Sequence, residues 1–277
     1  AVVTDSASDL PQALADRFDI HVVPVRVSLD GRDYLDRLGL GTAEFYRRMA
    51  ASAQLPQTSQ PPPGDFRRVF EHVLAHQPAA VYVGLSRPLS GTLQSAESAA
   101  RGQQGPLRCI DSGHASVGQA LLAWRAGELA AAGAEADAIA EELARLVPQT
   151  LTWAMARDIR HAVRGGRIPR WAAPLVRFSG LTPLAAIRNG VLKVAGGLFA
   201  RHDAPEAFAR HVARRLPAAP GWRLLVGHAD AAADGERALA ALRRLLPGTE
   251  AHLLEVGPAI GAHAGRGALV VGLQPAP

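Results

Sequence analysis

The sequence predicts an α/β protein built as two α/β domains, and three observations lead there. Short β-type runs alternate with helical stretches almost from end to end. Several strands are continuous apolar runs, the pattern of strands buried on both faces. Two Asx-Gly pairs, Asp30-Gly31 and Asn189-Gly190, each stand between β-type runs as hairpin turns do. At 277 residues and about 150 residues per domain, the length suits two domains.

In chain order, Val2 to Thr4, Ile20 to Val23 and Val25 to Leu29 read as strands, the last entering the Asp30-Gly31 turn. Ala80 to Leu85 and Leu107 to Ile110 are buried-type strands. Helices are expected over Leu10 to Phe18, Thr42 to Ala53, Asp65 to Ala75, Thr92 to Ala100 and Val117 to Ala132. Asp9 and Thr42 are the expected caps of the first two, and Pro11 suits a first helical turn. A further helix, Ala134 to Leu146, ends ahead of Pro148, and Leu151 to Met155 reads as a strand or a crossing between domains.

The second half begins with a hairpin, Leu184 to Ile187 and Val191 to Ala195. A helix (Pro205 to Leu216), a strand (Leu224 to Gly227), a helix (Ala232 to Leu246) and two strands (Ala251 to Val256, Ala268 to Leu273) follow. The expected architecture is a Rossmann-like three-layer parallel sheet over residues 1–152 and a mixed sheet with helices over 153–277. No repeat of fixed period and no low-complexity linker interrupts it.

Composition excludes several classes. With 48% hydrophobic and 20% charged residues the chain is globular, and its single cysteine, Cys109, rules out a disulfide framework or a four-thiolate zinc site. The net charge is +5, yet the basic residues are spread along the chain among acids and aromatics are only 5%, which argues against nucleic acid. No apolar run approaches the roughly 18 residues of a membrane span. The opening Ala-Val-Val-Thr-Asp reads as a strand with no signal peptide before it, so a cytoplasmic protein is expected.

Polar, turn-rich segments beside apolar strands are where α/β proteins place ligands. Thr4 to Pro11 is one such segment, and as a helix-capping loop it needs no ligand. In Thr58-Ser59-Gln60-Pro61-Pro62-Pro63 the prolines stiffen an extended backbone, holding both hydroxyls in place, as would a plain connector to the next helix. Leu85 to Thr92 joins a strand to a helix start, where free amides and the Ser90 and Thr92 hydroxyls can hold a carboxylate or phosphate, or merely cap. It is neither a nucleophile elbow nor a Walker loop. His263 lies in a Gly-rich turn with little to obstruct a ligand. The pair His72 and His76 reads as a solvated helix face, since no third metal ligand presents itself.

In this order the segments resemble the DegV family of bacterial fatty-acid-binding proteins. The matching pieces are Thr4-Asp5-Ser6 with Asp9-Leu10-Pro11, Thr58-Ser59-Gln60-Pro61, and Leu85-Ser86 with Leu89-Ser90-Gly91-Thr92. Asp111-Ser112, Gly166-Arg167-Ile168, Arg201, Gly227-His228-Ala229-Asp230 and Gly261-Ala262-His263-Ala264-Gly265 continue the match to the end of the chain. The resemblance implies a long-chain fatty acid in a tunnel near the domain junction, with no cofactor and no metal. It also implies a partner fatty acid kinase, which would phosphorylate the presented carboxylate in phospholipid metabolism. Thr58 and Ser90 would hydrogen-bond the carboxyl group, and Arg201 and His263 would serve the head group or kinase docking. Ser59, Gly91, Thr92, Ser112 and Arg167 are secondary candidates on the same motifs. Arg87, Ala264 and Arg266 depart from the family pattern, Arg87 replacing a small hydroxyl residue and Ala264 a threonine. The competing expectation is a serine-dependent acyl hydrolase or acyltransferase using Ser90, His263 and Asp5 or Asp111. A small polar ligand in a related architecture is a further rival.

Overall fold

The computed structural model describes residues 1–158, 160–166, 181–199, 203–219 and 221–276. Its first strand, β1 (Val2–Asp5), shows how the layers arise: Val2 packs into one apolar core and Val3 into another on the opposite face. β1 lies in a four-stranded, wholly parallel sheet with β2 (Ile20–Val23), β6 (Ala80–Gly84) and β7 (Leu107–Asp111), in the order β2-β1-β6-β7. Helices α3 (Pro63–His76) and α4 (Thr92–Ala100) cover one face through Phe66, Phe70, Leu93 and Ala96. α5 (Val117–Ala131) and α6 (Ala136–Leu146) cover the other. This is the expected three-layer arrangement.

The second sheet is six-stranded and mixed. Its order is β10 (Val191–Leu198), β9 (Thr182–Arg188), β8 (Leu151–Met155), β13 (Leu269–Pro275), β11 (Trp222–His228) and β12 (Glu250–Glu255). Only β11 and β12 pair in parallel, and a short helix, α7 (Arg160–Arg164), stands between β8 and β9 in the chain. Leu224, Val226, Val271 and Leu273 face a core shared with α8 (Ala204–Ala213) and α9 (Ala232–Leu245), while Leu225 and Val270 face α5. Leu121, Leu122, Ala123, Trp124 and Ala126 are all buried, so most of α5 is apolar, as suits a helix between two sheets, with Arg125 and Glu128 paired at its margin. Its first turn comes so close to β13 that a Cβ on Gly272 would lie 3.0 Å from the Val117 backbone.

A small antiparallel sheet completes the fold: β4 (Arg32–Leu35), β3 (Arg26–Leu29) and β5 (Gln57–Ser59). Both hairpins form where expected, with positive φ at Asp30 and Gly31 (53° and 73°) and at Asn189 and Gly190 (52° and 75°). The two expected caps differ. Gly41 occupies the cap position of α2 (Thr42–Ala51), and Thr42 is already helical. Pro11 precedes α1 (Gln12–Arg17), while Asp9 adopts φ 54° after a 3-10 turn and directs its carboxylate to distant partners. The Gly-rich turn also differs: residues 258–264 form a short helix, α10 (Pro258–Ala264), nucleated by proline in its first turn and packed on α2, β3 and β5. No helix among the described residues is long and apolar enough to cross a membrane.

Candidate functional site

In the parallel sheet the chain runs from β1 to β2 on one side and later to β6 on the other. Loops leaving β1 and β6 therefore diverge, opening the kind of crevice where open α/β sheets bind ligands. Here the crevice faces the second sheet and becomes a cavity of about 700 Å³, within the usual range for ligand pockets. Ala7, Leu85, Leu89 and Ser90 wall it from one side, and residues of β8, β9, β10 and β13 from the other.

The composition of β8 explains the empty space. Trp153 and Met155 point into the core beneath α8 and α9, while Thr152, Ala154 and Ala156 alternate with them and line the cavity. Ala154 pairs with Ala185 of β9, which also lines it, so two methyl groups stand side by side at the centre of the sheet. Thr152 adds little polarity, because its hydroxyl turns toward Gly118 and bonds His114 Nδ1 at 2.9 Å. The other ring nitrogen of His114 lies 3.2 Å from Val147 O. Burial lowers the His114 pKa, which suits a neutral ring donating to Val147 and accepting from Thr152.

Polar groups gather where β5 meets the loop before α4. Thr58 is held by its place in β5 opposite Val27, and its Oγ1 lies 2.7 Å from His263 Nε2 on the last turn of α10. Gln60 reaches across to Ser95 on α4, its Nε2 donating at 3.1 Å, and passes so close to Gly91 that any side chain there would strike it. Ser90 Oγ lies 2.9 Å from Thr92 Oγ1 and accepts from the Thr92 amide at 3.3 Å.

Thr58, Ser59, Ser90, Gly91 and His263 thus all line the cavity. Thr92 is buried one hydrogen bond behind Ser90. Ser112 lies outside the cavity wall, its hydroxyl closing a turn with the backbone of His114. Arg167 and Arg201 lie outside the described residues. Of the departures from the family pattern, Arg87 pairs with Glu97 and Arg266 with Asp230, each through a bond of 2.6 Å, and Ala264 lines the cavity.

The triad contacts of a hydrolase are not made among the described residues. The Ser90 hydroxyl meets Thr92, and His263 meets Thr58. Asp5 is buried, accepting from Tyr82, Gln119 and the amides of Ala7 and Leu85. Asp111 accepts from the Gly113 amide at 2.8 Å. Cys109 is half-buried, and burial pushes its thiol up to about 12, which keeps it protonated near neutral pH.

The alanines of β8 and β9 that line the cavity were not singled out by motif, whereas Gln60, also on its wall, lies inside the Thr58-Ser59-Gln60-Pro61 segment. The large-small alternation Thr152-Trp153-Ala154-Met155-Ala156 is the signal that could have found the cavity floor.

Fold and site together define an α/β protein of two main sheets and a small third, with a large apolar cavity and hydroxyl and imidazole groups on its wall. Comparison with known proteins places it more narrowly. The chain belongs to the DegV family, whose model, described as "Uncharacterised protein, DegV family", matches residues 1–276. A DegV domain-containing protein of Deinococcus radiodurans is 31% identical over 288 aligned positions, covering 99% of this chain and 98% of that one. Among solved structures, a DegV family protein from Thermus thermophilus, described for its fatty acid binding, is 33% identical with a TM-score of 0.87, covering 100% of this chain and 99% of that one. DegV of Bacillus subtilis, described as a fatty acid binding protein, is 26% identical with a TM-score of 0.88 over 100% and 99% of the two chains.

Proposed function

We propose that this protein holds a long-chain fatty acid in the cavity, carboxylate toward Thr58 and Ser90, and presents it to a partner fatty acid kinase. One observation carries the reading: a cavity of about 700 Å³ lined by alanines, with the Thr58 and Ser90 hydroxyls and the His263 imidazole on its wall. The fatty acid binding of the Thermus and Bacillus relatives supports it. With it goes the division of the chain expected at 152/153, moved ahead of β8 because that boundary would cut the strand Leu151–Met155.

The energetics suit a carrier. A palmitoyl chain has roughly 14 methylenes at about 0.8 kcal/mol each, a gross burial near 11 kcal/mol. Immobilisation removes several kcal/mol of that and leaves affinity between about micromolar and nanomolar. A carboxylate only accepts hydrogen bonds, so Thr58 must donate to it and must in turn accept from His263 Nε2–H. The bound anion therefore selects one direction for that 2.7 Å contact. Neutral hydroxyl donors hold the carboxylate without a tight buried ion pair, so its oxygens stay available to take a γ-phosphoryl group from the kinase's ATP. In this reading Arg201 joins His263 at the head group or docking surface.

Thr58→Val and Ser90→Ala are each expected to weaken palmitate binding by about ten-fold or more, the scale of one hydrogen bond to a charged group, with the fold intact. Native mass spectrometry of bacterially expressed protein, followed by titration with palmitate, measures this. Full retention in both variants would sink the head-group assignment. Acyl-phosphate formation from ATP and palmitate by a fatty acid kinase should require this protein, and independence from it would remove the carrier role.

A further inference from the structure

α10 carries His263 on its last turn, yet its own sequence does nothing to cap its start. Gly257 has no side chain and Pro258 has no N–H. Two carboxylates from the opposite end of the chain take the first amides instead. Gly257 N–H donates to Asp9 Oδ1 at 2.8 Å, and Ala259 N–H donates to Asp36 Oδ1 at 3.3 Å. Asp9 is well satisfied, receiving Arg37 Nη2 at 2.8 Å on the same oxygen and the Ser116 hydroxyl at 2.6 Å on the other. Asp36 is not. It is 1% exposed; its Oδ2 has no partner in hydrogen-bond geometry, and the Ser6 hydroxyl, which accepts the Val25 amide, is the side chain that eases its charge.

We propose that Asp36 is a positioning residue for the head-group end of the cavity: with Asp9 it fixes the start of α10, and so where the His263 imidazole meets Thr58. The proposal rests on the fatty-acid reading above. The helix has only seven residues, about 10 Å of length, and a helix so short takes its position from its contacts. A displacement at Ala259 therefore passes directly to His263. Along its side, Tyr46 and Phe45 pack where Gly261 leaves room, and the Tyr46 hydroxyl donates to Val256 O at 2.8 Å. The titratable and charged groups around Asp36 are Arg37 and Asp9, with Tyr46 and Glu255 beside the start of α10.

Stability does not account for an ionised carboxylate in this place. Burial pushes the Asp36 carboxyl up to about 6 from the model-peptide value of 3.8. The folded chain thus binds more protons than the unfolded one between those two values. On this group's account, stability falls as pH rises from about 4 to about 6 and stays lower above. A group that costs stability at neutral pH while holding an element of the site is the pattern expected of a functional residue.

The test compares wild type with Asp36→Asn from pH 5 to pH 8. It uses urea unfolding, palmitate and hexadecan-1-ol affinities, and the His263 ring-proton NMR resonance, assigned by its loss in His263→Asn. The expected result is an unfolding midpoint at pH 7.5 equal to or above wild type and palmitate binding about ten-fold weaker, with hexadecanol within about two-fold. The His263 resonance should shift, and the change in wild-type palmitate affinity near pH 6 should be missing from the variant. Unchanged palmitate affinity, pH profile and His263 resonance would overturn the proposal. So would a lowered midpoint with both ligands weakened equally, since that is a merely structural role. If wild type binds neither ligand, the fatty-acid reading fails instead, and the His263 resonance alone decides whether Asp36 positions the imidazole.

Discussion

Ala154→Phe is expected to exclude long acyl chains while leaving the protein folded. Ala154 lines the cavity beside Ala185, so a phenyl ring there enters the space the acyl chain would fill. A ring there takes the volume of about four methylenes. At about 0.8 kcal/mol each this removes roughly 3 kcal/mol of binding, about a hundred-fold in affinity for palmitate. A chain short enough to stop before Ala154 keeps its contacts, so the ratio of decanoate to palmitate affinity should rise by a similar factor. Thermal unfolding of the ligand-free protein should occur at the same temperature or higher, because the ring buries apolar surface. Quantitation of co-purified fatty acids, with unfolding of delipidated protein, checks both parts. Undiminished palmitate in a folded Ala154→Phe variant would place the acyl chain elsewhere.

Gly118→Ala is expected to destabilise the fold by about 2–3 kcal/mol, against the gain of about 1 kcal/mol that this exchange brings in an exposed helix. The new Cβ would lie 2.0 Å from Thr152 Oγ1 and 3.1 Å from His114 Cβ. Thr152 must then rotate, and His114 Nδ1 loses its partner in a buried site, which costs about 1–3 kcal/mol. The clash outweighs the helix propensity. Thr152→Ala in the same chain removes the obstructing oxygen, so the double variant should be more stable than Gly118→Ala alone. Urea denaturation of the four proteins in the cycle measures the coupling, expected at 1 kcal/mol or more. Additive losses would mean that α5 shifts bodily instead of meeting Thr152.

Local pattern made several elements legible beforehand. Asp30-Gly31 and Asn189-Gly190 announce hairpins because both residues of such turns need positive φ, a demand met within the turn itself. The stretch Val117 to Ala132 announces the helix α5, but its burial between two sheets is decided only by tertiary packing. Thr58, Ser90 and His263 were readable as members of separate polar segments, but their shared cavity was not, because it arises from contacts across the whole chain. β5 escaped notice because three residues beside a proline run carry no strand signal, and only pairing with β3 makes them one. Asp9 is the sharpest case. It stands two residues before Pro11 and reads as the cap of the next helix, yet it takes the Gly257 amide of a helix 248 residues away.

The sequence by itself determined the alternating α/β order, both hairpins, the family and the motif residues that bear hydroxyls and imidazole. Those properties follow from spacing and side-chain type over a few residues. The tertiary structure alone decided that alanines of β8 and β9 stay unfilled, that His263 meets Thr58, and that Asp9 and Asp36 hold α10. The physical reason is that a cavity is space its neighbours fail to fill, and a buried carboxylate is defined by the amides that reach it. Both depend on which distant segments the two sheets bring together around α5.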